Sequence, residues 1–251
     1  MRLVFFVLSL LAAVPAMAET PTVSILTYHR FNPAGSPGAT TVSTAVFAAQ
    51  MARIAERGLA VLDLHAVISG EALPPHAVAI TADDGHRSVY TEMFPILKRH
   101  GFHATLFLNP PGIGRGSYLR WEELAEMQAS GLIDCEPHTS SHPNFNTERT
   151  TRTPADFAQF VARELDEPRK TLTTHLGGPQ DMLAWPYGIH DPALEAAAQA
   201  AGYRAAFALG GRVAPIGGPA YAIPRYQVYE ADIGPRFDAV LNGTPRALPR
   251  P

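Results

Sequence analysis

Val78-Ala79-Ile80-Thr81-Ala82-Asp83-Asp84-Gly85 is an apolar run that ends in two adjacent carboxylates and a glycine. A short continuous apolar segment reads as a strand buried on both faces, the form strands take in a parallel sheet. The same signal recurs outward from it, predicting strands at 23–27, 104–108, 133–135, 182–185 and 205–209. Amphipathic stretches between them predict helices at 44–57, 88–100, 121–129, 154–176 and 192–201. Such alternation is the pattern of a parallel α/β sheet or barrel. Glycines 58, 101, 131 and 202 close helical stretches, and Asp191-Pro192 supplies a capping acid before a first-turn proline. Pro95 is expected to kink or split its helix. No repeat and no internal linker is present, so a single domain is expected.

The chain has 251 residues and a formal charge of -3, with no basic tract. Nucleic acid is therefore excluded as the expected partner. Residues 1–18 read as an export signal: Arg2, an apolar run, then Ala16-Met17-Ala18. The run falls short of the roughly 20 residues that span a bilayer, so no stable membrane span is expected after cleavage. A periplasmic or secreted location follows. Cys135 is the sole cysteine, which rules out an internal disulfide and suits a small buried core residue.

Three constellations carry chemistry. Asp83 and Asp84 lie where a strand runs out, the place where barrels of this kind gather catalytic groups. In a regular strand neighbouring side chains face opposite ways, so Gly85 is expected to turn both acids toward one mouth. Alone, the triplet also fits a solvated turn. His138 and His142 follow the strand at 133–135 at a spacing that lets both imidazoles reach one cation. With ten histidines in the chain, that spacing also arises by chance. The two motifs gain force together, because one carboxylate and two histidines on one rim make an open, hydrolytic kind of metal site. Trp185-Pro186-Tyr187-Gly188 ends a third strand, where a backbone N–H can face a developing oxyanion.

These motifs resemble the polysaccharide deacetylases of the NodB-homology group, the carbohydrate esterase family 4 type. Thr81-Ala82-Asp83-Asp84-Gly85 is similar to that family's Thr-Phe-Asp-Asp-Gly. His138, Thr139 and His142 match its His-Ser/Thr-x-x-His, and Pro186-Tyr187-Gly188 match part of its third motif. The resemblance spans residues 24–228. It implies a distorted (β/α)7 barrel and a divalent metal, Zn²⁺ or else Co²⁺ or Ni²⁺, held by Asp84, His138 and His142. Asp83 would be the general base, with Thr139 orienting its neighbours. The implied activity is hydrolysis of acetamide groups on an acetylated polysaccharide or oligosaccharide.

The chain departs from the family in three places. Ala82 stands where the family has Phe. The Arg of the third motif falls at Ala184, and Arg225 is the candidate replacement. The late Leu-x-His motif is missing, and His29, in Leu26-Thr27-Tyr28-His29, is the candidate acid, since first and last strands of a barrel are neighbours. An early Tyr-His with Trp-Pro-Tyr-Gly resembles the subgroup acting on poly-N-acetylglucosamine. Tyr187 is a candidate at the oxyanion and substrate, and Trp121 and Tyr118 are candidates to line the sugar groove, with core packing equally open for Trp121. O-deacetylation of xylan, deacetylation of peptidoglycan and an impaired carbohydrate-binding barrel are the competing readings. Glycoside hydrolysis is disfavoured, because its two carboxyls must stand about 5–9.5 Å apart across the bond.

Overall fold

The computed structural model describes residues 21–35, 38–69, 73–215 and 221–247; the expected export signal at 1–18 lies outside them. In chain order the strands are β1 (Thr22–Tyr28), β2 (Arg30–Asn32), β3 (Thr41–Ser43), β4 (Ala60–Leu62), β5 (His76–Asp84), β6 (Ala104–Leu108), β7 (Ile133–Pro137), β8 (Met182–Ala184), β9 (Ala205–Leu209), β10 (Ala214–Pro215) and β11 (Ile223–Gln227). The helices are α1 (Thr44–Glu56), α2 (Leu64–Ser69), α3 (Phe94–His100), α4 (Trp121–Ala129), α5 (Phe145–Thr151), α6 (Pro154–Leu176), α7 (Pro192–Ala200) and α8 (Pro235–Leu241).

The main sheet runs β7-β6-β5-β1-β11-β9-β8, and every pairing along that path is parallel. It curls into a nearly closed barrel. The seam lies between β7 and β8, which share no backbone ladder in that order. Side chains bridge it instead. Glu136 Oε2 accepts from Met182 N at 3.0 Å, and the Nδ1–H of His138 donates to Ala184 O at 2.7 Å. Each bond satisfies a strand-edge backbone group that would otherwise be buried unpaired.

Alternation along the strands sorts the core into layers. Val23 and Ile25 of β1 point inward with Phe107, Ala184 and Phe207. Leu26 and Tyr28 face outward onto Phe47 and Met51 of α1. Leu64 and Val67 of α2 join the inward cluster, so this short helix plugs one end of the barrel. β4 explains how: it pairs with the first half of β5, at Ala77–Ala79, where β6 pairs only with the second half, at Thr81–Asp84.

Differences from the sequence reading have local causes. The strand expected to start at Val78 covers His76–Asp84, taking in both acids. The expected helix at 88–100 divides into a π-helical turn, Val89–Met93, and α3, with Pro95 in the first turn of the second piece. Asp191 caps α7 as expected, Oδ1 accepting from Ala193 N and Leu194 N. α6 runs through Pro168 without ending. β11 escapes the sequence reading because Pro224, which gives no ladder donor, sits inside it.

Phe107 and Phe207 meet at 5.6 Å in the barrel interior, and Phe207 is fully buried. Phe207→Ala is expected to lower unfolding free energy by about 3–5 kcal/mol. Urea denaturation followed by circular dichroism measures it, and a loss under about 1 kcal/mol would contradict this packing.

Candidate functional site

Because the barrel strands are parallel, their C-terminal ends form one mouth, and the chemistry-bearing residues sit there. Asp83 is 2 % exposed at the end of β5. Asp84 itself adopts a left-handed backbone, φ 73°, ahead of Gly85 at φ 77°. This corrects the expectation that Gly85 alone makes the turn: the acid's own backbone reverses its side chain. A Cβ on Gly85 would also lie 3.0 Å from Leu108 Cδ2.

His138 follows β7 directly, and its loop doubles back through left-handed Thr139 and His142. Thr139 Oγ1 accepts from His142 N at 3.2 Å. Two groups that the sequence reading missed hold this loop. Asn109, just after β6, donates from Nδ2 to the carbonyls of His138 and Thr139. Glu164 of α6 takes Ser141 N on Oε2 and Ser141 Oγ on Oε1, both at 2.7 Å. Asn109 has no sequence signal. Glu164 had one: it is an acid on the buried stripe of α6, between Val161 and Leu165.

The residues expected to hold a metal converge. His138 Nε2 lies 3.7 Å and His142 Nε2 3.5 Å from Asp84 Oδ1, and the three donors fall within 4.8 Å of one another. Asp84 Oδ1 is buried without a hydrogen-bond partner. Because Nδ1 of His138 is committed to Ala184 O, its Nε2 lone pair turns toward the acid. Burial pushes His138 down to about 4, against the upward pull of Asp83 and Asp84, so the ring is neutral and able to ligate. An orphaned carboxylate oxygen facing two imidazoles fits Zn²⁺, Co²⁺ or Ni²⁺ with a side left open.

Asp83 is tied to a different cation. Arg225 Nη1 and Nη2 contact Oδ1 and Oδ2, each at 2.8 Å. Arg225 is fully buried, and its Nη1 also donates to Thr81 Oγ1 at 3.1 Å. Burial pushes the Asp83 carboxyl up, but Arg225 and then His138 pull harder, leaving it at about 2. Arg225 arrives on β11, which pairs with β1, which pairs with β5.

A cavity of about 170 Å³ joins His29, Asp83, Asp84, His138, His142 and Tyr187. His29 thus shares the mouth with the acids, and burial lowers its pKa. Tyr187 is left-handed and 57 % exposed, its ring 4.6 Å from that of His142. A larger groove of about 840 Å³ opens outward past Arg30, Asn109, Arg115, Tyr118 and Tyr187. Trp121 lines neither. As the first residue of α4 it stacks on His175 of α6 at 3.9 Å, so its expected place in the sugar groove is corrected to helix packing. Cys135 is buried, and burial pushes its thiol up. His86 bonds Ser88, and His190 pairs with Glu195.

A family model described as Polysaccharide deacetylase matches residues 70–206, more than half of the chain. The chain belongs to the polysaccharide deacetylase family. A poly-beta-1,6-N-acetyl-D-glucosamine N-deacetylase of Staphylococcus aureus (strain MRSA252) is 26% identical over 157 residues, 61% of this chain and 54% of that protein. The chain spans about half the length of the curated relatives it matches. Among solved structures, IcaB from Ammonifex degensii superposes with a TM-score of 0.78 at 25% identity, covering 90% of this chain and 99% of that one. A de-N-acetylase from Aggregatibacter actinomycetemcomitans gives 0.78 at 18% identity, over 87% of this chain and 99% of its own, and shares the fold.

Glu164→Ala removes both acceptors of the histidine loop. Zinc affinity, read by competition with a chromophoric chelator, is expected to fall about 10- to 100-fold. Unchanged affinity would remove Glu164 from the support of the site.

Proposed function

We propose that this member of the family is a metal-dependent N-deacetylase that hydrolyses acetamide groups on an N-acetylglucosamine-containing polysaccharide or oligosaccharide and releases acetate. The observation that carries the reading is the convergence of Asp84, His138 and His142 beside an Asp83 clamped by Arg225. The printed activity of the Staphylococcus aureus relative supports the choice of polymer. The charged, apolar and Ala-x-Ala order of residues 1–18 supports an exported protein, periplasmic or secreted.

In this mechanism Asp84, His138 and His142 hold the ion. A divalent cation held there, best matched by Zn²⁺, would supply Lewis-acid polarisation of the acetamide carbonyl and lower the pKa of the attacking water. Asp83 takes the proton from that water. Arg225 keeps Asp83 ionised and fixes the plane of its carboxylate, and the same pairing makes it a weak proton acceptor. A weak acceptor needs an acidified water, so the two halves of the site depend on each other. The backbone N–H at Tyr187 faces the oxyanion, and the Tyr187 ring packs on the sugar. The proton taken by Asp83 passes across the shared cavity to His29, which gives it to the leaving amine as the carbon–nitrogen bond breaks. The amine departs as the free glucosamine nitrogen and the acyl group as acetate.

Glycoside hydrolysis fits poorly, because Asp83 and Asp84 are adjacent on one strand and not set on opposite sides of a bond, and Asp84 faces the imidazoles. The test is acetate release from zinc-loaded protein, with poly-N-acetylglucosamine, chitin oligomers and acetyl-xylan side by side. Acetate without chain shortening, from the N-acetylated polymers above all, is the expected result. No acetate from any of them would overturn the assignment.

Two variants divide the roles. Asp83→Asn is expected to cut turnover about 10²- to 10⁴-fold with zinc retained. His29→Ala is expected to lower turnover by about 10²-fold or more, also with zinc retained. Near-normal turnover of His29→Ala would take that residue out of the mechanism.

A further inference from the structure

The barrel has a second cluster of ligating side chains, between the α2 plug and the β7–β8 seam. His65 stands in α2, the helix that plugs the barrel; Glu136 is on β7; Asp181 immediately precedes β8. Their donor atoms lie within 4.8 Å of one another. His65 Nε2 is 3.4 Å from Asp181 Oδ1 and 3.8 Å from Glu136 Oε1. Zn–N and Zn–O lengths of about 2.0–2.2 Å put neighbouring tetrahedral ligands about 3.3–3.6 Å apart. The spacing here is close to that, and close to the 3.5 and 3.7 Å at the mouth.

The remaining donors make the cluster a built site. Each carboxylate has one oxygen already occupied: Arg204 Nη1 donates to Asp181 Oδ2 at 3.2 Å, and Met182 N donates to Glu136 Oε2 at 3.0 Å. The other oxygen of each is the one aimed at His65. Asp181 is 8 % exposed, and its Oδ1 is buried without a hydrogen bond. Glu136 is 1 % exposed. The far nitrogen of His65, Nδ1, faces Asp134 Oδ2 at 3.6 Å, and His103 Nε2 lies 3.3 Å from that same oxygen. A carboxylate behind the ring is the arrangement that orients a ligating imidazole. A proton on Nε2 would give one N–H to share between two buried oxygens, whereas a divalent ion meets both at once.

We propose that His65, Glu136 and Asp181 form a second divalent-cation site that ties α2 to both sides of the β7–β8 seam. The site stands apart from the acetamide chemistry. It acts where the sheet has no backbone ladder, so its binding stabilises the closed barrel. One imidazole and two carboxylates select a borderline ion such as Zn²⁺.

The experiment is Zn²⁺ titration of chelator-stripped, untagged full chain, with stoichiometry read by native mass spectrometry and calorimetry and thermal melting recorded alongside. Two equivalents are expected for the wild type. His65→Ala should bind one and lose most of the zinc-induced rise in melting temperature; Asp181→Asn, which keeps the side-chain shape, should do the same. Asp84→Asn should also bind one, with that rise retained. Wild-type binding of one ion, lost in His65→Ala alone, would support the base site and count against the mouth. One ion lost in Asp84→Asn alone, two ions unaffected by either base variant, or no binding at all would overturn the proposal.

Discussion

Two neighbouring carboxylates crowded at the end of one strand, with Asp83 buried and Asp84 half-buried, repel each other unless their surroundings offset the charge. The site is organised around that constraint. Asp83 is met by Arg225, a guanidinium with no exposed surface, which must come from the barrel interior and not from solvent. Only a strand close to β5 can deliver it, and β11 does so because β1 alone separates the two. Asp84 is met by two imidazoles, and these must come from the far side, after β7. The order of strands therefore decides which group each acid meets. Arg225 also lies over the Phe107 ring, 5.2 Å from its centre, so the aromatic layer beneath supports the cation as well as filling space.

The seam is the second consequence. Seven parallel strands curl almost to closure, yet β7 and β8 do not share a ladder. Glu136 and His138, two residues apart and so on one face of β7, complete the contact by reaching to Met182 N and Ala184 O. His138 thereby does two things with one ring. Its Nδ1 closes the barrel, and that bond fixes which nitrogen is left for a cation. Geometry at the mouth and closure of the sheet are the same interaction seen from two ends.

How far the sequence could be read follows from which of these interactions leave a local mark. Apolar strands ending in Asp83-Asp84 or preceding His138 carry their own signal, and the long helices announce themselves by period and caps. Arg225 was recognisable as a cation in search of a role, but its strand was hidden by Pro224. α2 is six residues long, too short for a period to show. Trp121 reads from the sequence equally as a sugar platform or a packing residue, and its position in the first turn of α4 sets it against His175. Glu164 and Asn109 act on a loop distant in sequence, so only the folded chain brings them to it.

Backbone strain ties these threads together. Among the described residues the non-glycine positions with positive φ are Asp84, Thr139, His142 and Tyr187, and all four stand at the mouth. Each costs on the order of 1–3 kcal/mol, and Thr139 is β-branched, which makes its conformation the least natural of them. A chain under no functional demand would place glycine there, as this one does at Gly188, where a Cβ would lie 2.8 Å from Leu209 N. Keeping side chains at the other positions requires compensation nearby. The Glu164 carboxylate on Ser141, the Asn109 amide on two carbonyls and the Thr139 hydroxyl on His142 N supply it. Asn109 and Glu164 act from the end of β6 and the middle of α6, while the strained Thr139 and His142 are on the loop they hold. An arrangement of side chains held this way is set in folding, because the cost of bringing Asp84, His138 and His142 together is met there.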